Sequence, residues 1–77
     1  MFLRMYNQTM QNIEIGKTYV HYKGNRYIVL GIAKHSETLE DMVVYKSLST
    51  GDIWVRPASM WSELVDDNGT LRFTPVN

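Results

Sequence analysis

Apolar and polar residues alternate here in short runs broken by turn residues, and no stretch keeps the 3.6-residue period of an amphipathic helix. Residues 18–23 and 26–33 are rich in β-branched and aromatic side chains, and Gly24-Asn25 separates them. This pattern predicts a tight β-hairpin, because glycine accepts the positive φ that such turns impose. A two-residue turn there sets Lys23 opposite Arg26, Tyr22 opposite Tyr27, His21 opposite Ile28 and Val20 opposite Val29. Opposed residues share a face, so Val20, Tyr22, Tyr27 and Val29 would lie on one side, with Tyr19, His21, Ile28 and Leu30 on the other. Gly31, inside the second run, predicts a bend or a close backbone approach.

Residues 34–41 interrupt the apolar pattern with a polar loop, too short for more than one helical turn. The pattern returns as a strand over 42–48, a turn over 49–52 and a short strand over 53–56 that ends at Pro57, which lacks a ladder donor. In that short strand Ile53 and Val55 are the expected core residues, leaving Trp54 and Arg56 together on the open face. Proline at the head of 57–61 predicts a single 3₁₀ or helical turn, with Met60 and Trp61 as lids on the end of the core. A further strand over 62–65, a turn over 66–69 and a last strand over 70–73 complete the pattern. The expected fold is all-β: a small SH3-like antiparallel barrel of five to six strands with one short 3₁₀ or helical turn, closed so as to remove exposed sheet edges. Residues 13–77 would form this barrel domain. Residues 1–12, with Phe2, Leu3, Met5, Tyr6 and Met10 at no regular spacing, read as an N-terminal arm.

Seventy-seven residues allow one domain, and a chain of this size buries only about 60% of the surface its unfolded form exposes. There are no cysteines, which excludes disulfide staples, thiolate metal sites and cysteine nucleophiles. At 44% hydrophobic and 12% aromatic the chain is globular in composition. Eight basic and eight acidic residues cancel, so no overall field draws in nucleic acid or an anionic membrane. The first ten residues lack the apolar run of a signal peptide, and no segment approaches a membrane span; a cytoplasmic location is expected.

A set of short strings stands in fixed order along the chain: Tyr19, His21-Tyr22-Lys23-Gly24-Asn25, Tyr27, Val29-Leu30-Gly31, Ala33, His35-Ser36-Glu37-Thr38-Leu39-Glu40, Val43-Val44-Tyr45, Trp54-Val55-Arg56-Pro57, Met60 and Glu63. On these the chain from Ile15 to Phe73 resembles the small bacterial family known as domain of unknown function 1653. Members tend to carry a phenylalanine where this chain has Trp61 and a proline where it has Leu71, and the turn at 49–52 differs. The resemblance implies an SH3-like barrel of bacterial or phage origin and no established activity.

The polar loop offers one imidazole, two hydroxyls and two carboxylates within six residues, and loops on rigid scaffolds are where binding groups concentrate. Trp54 and Arg56, with Tyr45 from the neighbouring strand, can grip a planar or anionic group by stacking and bidentate hydrogen bonds. The sequence therefore predicts a non-enzymatic binding module without a cofactor. Its cleft would be formed by His21, His35, Ser36, Glu37, Thr38, Glu40, Tyr45, Trp54 and Arg56, and would hold a small polar ligand or a peptide. The bland alternative has the loop bonding its own backbone and Arg56 pairing with Glu63 or Glu40.

Three rivals remain. Lys17, Lys23 and Arg26, interleaved with Tyr19, Tyr22 and Tyr27, form a basic aromatic hairpin suited to single-stranded nucleic acid. His35 as general base beside Ser36, with Glu37 or Glu40 orienting the ring, is the outline of a hydrolase, but no oxyanion-hole motif accompanies it. A divalent metal on His21, His35, Glu37 and Glu40 lacks paired histidine spacing. Self-association through the arm or an open strand edge is compatible with each.

Overall fold

The computed structural model describes residues 13–76, so the expected arm at 1–12 lies outside the described residues. Five strands follow in chain order: β1 (Thr18–His21), β2 (Arg26–Lys34), β3 (Asp41–Ser47), β4 (Ile53–Pro57) and β5 (Phe73–Pro75), with one 3₁₀ turn at Ala58–Met60 between β4 and β5. They form one antiparallel sheet in the order β4-β3-β2-β1-β5. Among the described residues β4 and β5 are its outer strands and share no ladder, so what is observed of the expected barrel is the bent sheet. No helix among these residues is long and apolar enough to cross a membrane.

The first hairpin corrects the expected register. Tyr19 opposes Tyr27 and Val20 opposes Arg26, a three-residue shift that exchanges the faces of β1. The cause is the turn. His21 donates its N–H to the Asn25 carbonyl while its own carbonyl accepts the Gly24 N–H. Gly24, at φ 107°, is therefore the left-handed third residue of a three-residue loop, not the first of a Gly-Asn pair. Tyr19 thus joins Tyr27 and Val29 on the inner face, and His21 opposes Phe73 of β5 there.

In β2 the register with β3 slips between Val29 and Gly31, the bend expected of a mid-strand glycine. It is a bulge and not a close approach, since a Cβ on Gly31 would meet nothing within 4 Å. Beyond it Val43 and Tyr45 project inward from β3, and their partners across the next ladder are Arg56 and Trp54. The assignment of faces on β4 is consequently reversed from that expected. Trp54 and Arg56 share the core-side face, whereas Ile53 and Val55 point away and are 61% and 59% exposed. A strand with apolar residues on both faces, Ile53 and Val55 on one and Trp54 on the other, leaves the choice of face to its neighbours, and here Tyr45 decides it.

The core comprises Tyr19, Val29, Val43, Tyr45, Ala58, Trp61 and Phe73. Trp61, expected as a lid, is the largest fully buried side chain; the turn after Pro57 swings it across the inner face, where its ring stacks on Phe73 with centroids 4.0 Å apart. The expected strands at 62–65 and 70–73 shrink to a single bridge, Leu64 to Leu71, around the predicted turn, and the last strand begins at Phe73 instead of ending there.

Candidate functional site

Four of the nine residues expected in one cleft do line one hollow. His21, Tyr45, Trp54 and Arg56 surround a pocket of about 210 Å³ that Tyr27 and Phe73 complete. Their convergence follows from the ladders: Phe73 opposes His21, Tyr45 opposes Trp54, and Arg56 follows two residues along the same face. Four of the six are aromatic. The rings of Tyr27, Tyr45 and Phe73 meet edge to face at 5.3–5.8 Å between centroids, and the ring of His21 lies 5.2 Å from that of Phe73. Trp54 forms the outer wall and is 52% exposed, because no described strand lies beyond β4 to cover it. Phe73, the last residue of the expected strand over 70–73, opens β5 instead, and its pairing with His21 is what turns it into the pocket.

The pocket is cationic on one side. Arg56 Nη2 donates to Glu63 Oε1 at 3.0 Å and its Nε donates to the Met60 carbonyl at 3.3 Å. The same carboxylate oxygen lies 3.5 Å from Arg72 Nε, a buried atom with no hydrogen bond in good geometry. One carboxylate thus serves two guanidinium groups, and a positive charge is left over. His21 reports it. Burial, and then the positive charges of Arg72, Lys23 and Arg56, lower its pKa from the ordinary 6.5. Burial also raises the pKa of Tyr45, against the opposing pull of Arg56. The arrangement offers an aromatic box with a guanidinium on one wall, suited to a planar group carrying negative charge.

The loop residues His35, Ser36, Glu37, Thr38 and Glu40 are not brought to this pocket. They sit at the far end of β2 from the hairpin that carries His21. Asp41 and Tyr45 are four strand positions apart, about 13 Å at roughly 3.3 Å per residue. Two of the loop's polar side chains, His35 and Thr38, serve its own backbone. His35 Nδ1 accepts the N–H groups of Glu37 and Thr38, and Thr38 Oγ1 accepts the N–H of Glu40. His35 donates its N–H to the Glu40 carbonyl and accepts the Leu39 N–H.

Twelve residues later the chain repeats this turn. Ser47 donates to the Asp52 carbonyl and accepts the Gly51 N–H, Ser47 Oγ accepts the Thr50 N–H, and Thr50 Oγ1 accepts the Asp52 N–H. His35 and Thr38 thus act as the local acceptors of a four-residue hairpin loop, in which an imidazole stands where the second turn has a serine hydroxyl. His21 and His35 stand at opposite ends of β2, and among the described residues no three His, Asp or Glu side chains converge as a metal site would need.

The basic hairpin is split as well. Tyr22 has the Lys23 ammonium 5.8 Å and the Arg72 guanidinium 5.9 Å from its ring centre. Arg26, opposite Val20, belongs to the outer face. Tyr27 belongs to the inner one, and Lys17 lines a separate hollow of about 400 Å³ beside Tyr19, Trp61 and Phe73.

A family model described as a protein of unknown function, DUF1653, matches residues 17–75. The crystal structure of a DUF1653 protein from Bordetella bronchiseptica superposes with a TM-score of 0.74 at 37% sequence identity, covering 88% of this chain and 92% of that one. Among curated proteins there is no match.

Proposed function

We propose, for a chain that belongs to the DUF1653 family of proteins of unknown function, that it is a non-enzymatic binding module. Its cleft, between Trp54, Tyr45, Arg56, His21, Tyr27 and Phe73, receives a planar group bearing negative charge, presented by a small polar molecule or by a peptide. The observation that carries this reading is Trp54, a half-exposed indole held on the core-side face beside Arg56. Leaving that much apolar surface in water is unfavourable unless something covers it. The bent sheet serves as the scaffold. We read it as an SH3-like barrel whose outer strands curl over one core without sharing a ladder, which leaves the mouth at β4 open.

A calorimetric titration with small aromatic carboxylates and aryl phosphates tests the reading. Trp54→Ala should leave the unfolding transition nearly unchanged and abolish binding. Binding that survives Trp54→Ala, or loss of the fold in that variant, would overturn the assignment.

A second reading is favoured by Tyr22, exposed and flanked by Lys23 and Arg72: a stacking platform for one base of a single-stranded nucleic acid. Affinity for single-stranded RNA or DNA would then fall steeply as salt rises and be lost in Tyr22→Ala. Salt-independent affinity would remove this second reading and leave the first intact.

A further inference from the structure

We propose that two copies of this chain pair antiparallel through the free edge of β4, on a two-fold axis at Trp54, and that each copy supplies the outer wall of the other's cleft. The inference starts from which backbone groups β4 has already used. Ser47 donates to Asp52, so these two form a hydrogen-bonded pair. Such pairs alternate with non-bonded ones along an antiparallel ladder, and the β3 to β4 register runs without a slip. Trp54 and Arg56 therefore direct their N–H and C=O groups toward β3, while Ile53, Val55 and Pro57 direct theirs outward. Pro57, which has no N–H, falls on the outward side, where its missing donor costs the β3 ladder nothing.

The outward groups of Ile53 and Val55 have no backbone partner among the described residues. Natural proteins usually blunt such an edge with charge, a bulge or a cover. Here it carries three consecutive apolar side chains, each more than half exposed: Ile53, Trp54 and Val55.

The strand is complementary to itself in one register. With Trp54 opposite the partner's Trp54, Ile53 falls opposite the partner's Val55. The two outward N–H and two outward C=O groups of each copy are then all used. The same register sets Asp52 opposite the partner's Arg56, on the face where Arg56 shares its present carboxylate with Arg72. Centring the pair on Val55 would oppose Ile53 to a proline without a donor, and centring it on Ile53 would separate Asp52 from Arg56. On the outer face the register makes apolar Ile-Val pairs. On the inner face it brings the two indoles together as a non-bonded cross-strand pair, the closer kind, and joins two aromatic boxes into one longer groove. The pairing stands on the strand edge alone and holds whether or not the cleft binds a ligand.

Sedimentation of the full chain over a range of concentrations tests it. A mass twice the 9.0 kDa of the monomer is expected. The double variant Ile53→Lys/Val55→Lys should sediment at the monomer mass with its unfolding transition kept, while Ile15→Lys, at a site 66% exposed elsewhere, should stay dimeric. Because the chain has no cysteine, Trp54→Cys provides an independent reading. On the axis the two Cα atoms lie about 4.5 Å apart, within disulfide reach, and mild oxidation should link the variant to itself, whereas Ile15→Cys should not link. A full chain that is monomeric throughout, a dimer that survives the double lysine variant, or a Trp54→Cys variant that links no faster than Ile15→Cys overturns the proposal. So does a full-length monomer that dimerises only after residues 1–12 are removed, since the chain's own first residues would then cover the edge.

Discussion

Leu39 and Gly51 occupy the same corner of two equivalent turns, with φ at 65° and 81°. In each, the corner residue donates its N–H to the carbonyl of the residue that opens the loop, four positions earlier. Glycine enters this left-handed region freely. For leucine it costs about 1–2 kcal/mol, and here the side chain is 67% exposed, so packing returns little of that cost.

Replacing Leu39 by asparagine, which tolerates the left-handed region, should therefore stabilise the protein by about 1 kcal/mol. Gly51→Ala should destabilise it by a comparable amount, and purely through the backbone, since nothing lies within 4 Å of the new Cβ. Urea midpoints with an unchanged slope would show both effects. A lower midpoint for Leu39→Asn would mean that the leucine side chain contributes packing that outweighs its backbone cost.

The paired turns also show where the sequence was legible. The bounds of β2, β3 and β4, to within one residue at each end, and the 3₁₀ turn follow from alternation, glycine and proline, as does the bend at Gly31, because these are local constraints. What failed was the choice of face. The strand at 18–23 and the strand at 53–56 carry apolar or aromatic residues on both faces, Tyr19 against Val20 and Tyr22 in the first and Trp54 against Ile53 and Val55 in the second, so alternation selects no inner side. In β1 one residue of loop length settled it, and in β4 the pairing of Trp54 with Tyr45. Trp61 was misplaced because a residue just after a short turn can as easily cover an end as cross a sheet. For the candidate site, the aromatic and arginine half was readable as a local pair on one strand. The His35 to Glu40 half does not reach the pocket, and its pattern could not separate local capping by His35 and Thr38 from ligand binding, because both use the same donors and acceptors.

Trp61 supplies the centre of the core, and Trp61→Ala should cost about 3–5 kcal/mol, enough to abolish a cooperative transition in a domain this small. Trp61→Phe should keep the fold. The indole N–H is buried beside the Tyr19 hydroxyl, which also accepts the Glu14 N–H at 3.3 Å, so loss of the indole leaves that hydroxyl with a partner, and a phenyl ring preserves the stack on Phe73. Thermal unfolding followed by circular dichroism separates the two outcomes.

His21 makes stability depend on pH in a definite direction. Its pKa in the folded protein lies below the ordinary 6.5, through burial first and then Arg72, Lys23 and Arg56. The unfolded chain therefore takes up a proton in a range where the folded one resists it. The stabilisation is present above pH 6.5 and declines as the pH falls through 6.5 toward the folded-state value. His21→Asn keeps a side-chain acceptor for the Lys23 N–H that Nδ1 now receives and removes the titration. The variant should lose less stability than the wild type between about one unit above and one unit below pH 6.5. Parallel slopes for the two proteins in urea melts across that range would contradict the placement of His21 in a cationic, partly buried cleft.

Glu63 gives the sharpest test of the proposed ligand chemistry, because stability and affinity should move in opposite directions. Its carboxylate accepts from Arg56 at 3.0 Å and lies 3.5 Å from Arg72, and both guanidinium groups act on the same cleft. Glu63→Gln retains an acceptor for Arg56 but removes the negative charge. The protein should become less stable by no more than about 1 kcal/mol, as expected of a partly exposed pair. The cleft, left more positive, should bind an anionic aromatic probe several-fold more tightly and a neutral probe of the same shape no better. Trp54→Ala should abolish the binding of both probes at nearly constant stability. Calorimetric titration of the two variants with a charged and an uncharged probe reads all four values. If Glu63→Gln weakened the anionic probe, the guanidinium of Arg56 would be present to hold the fold and not the ligand.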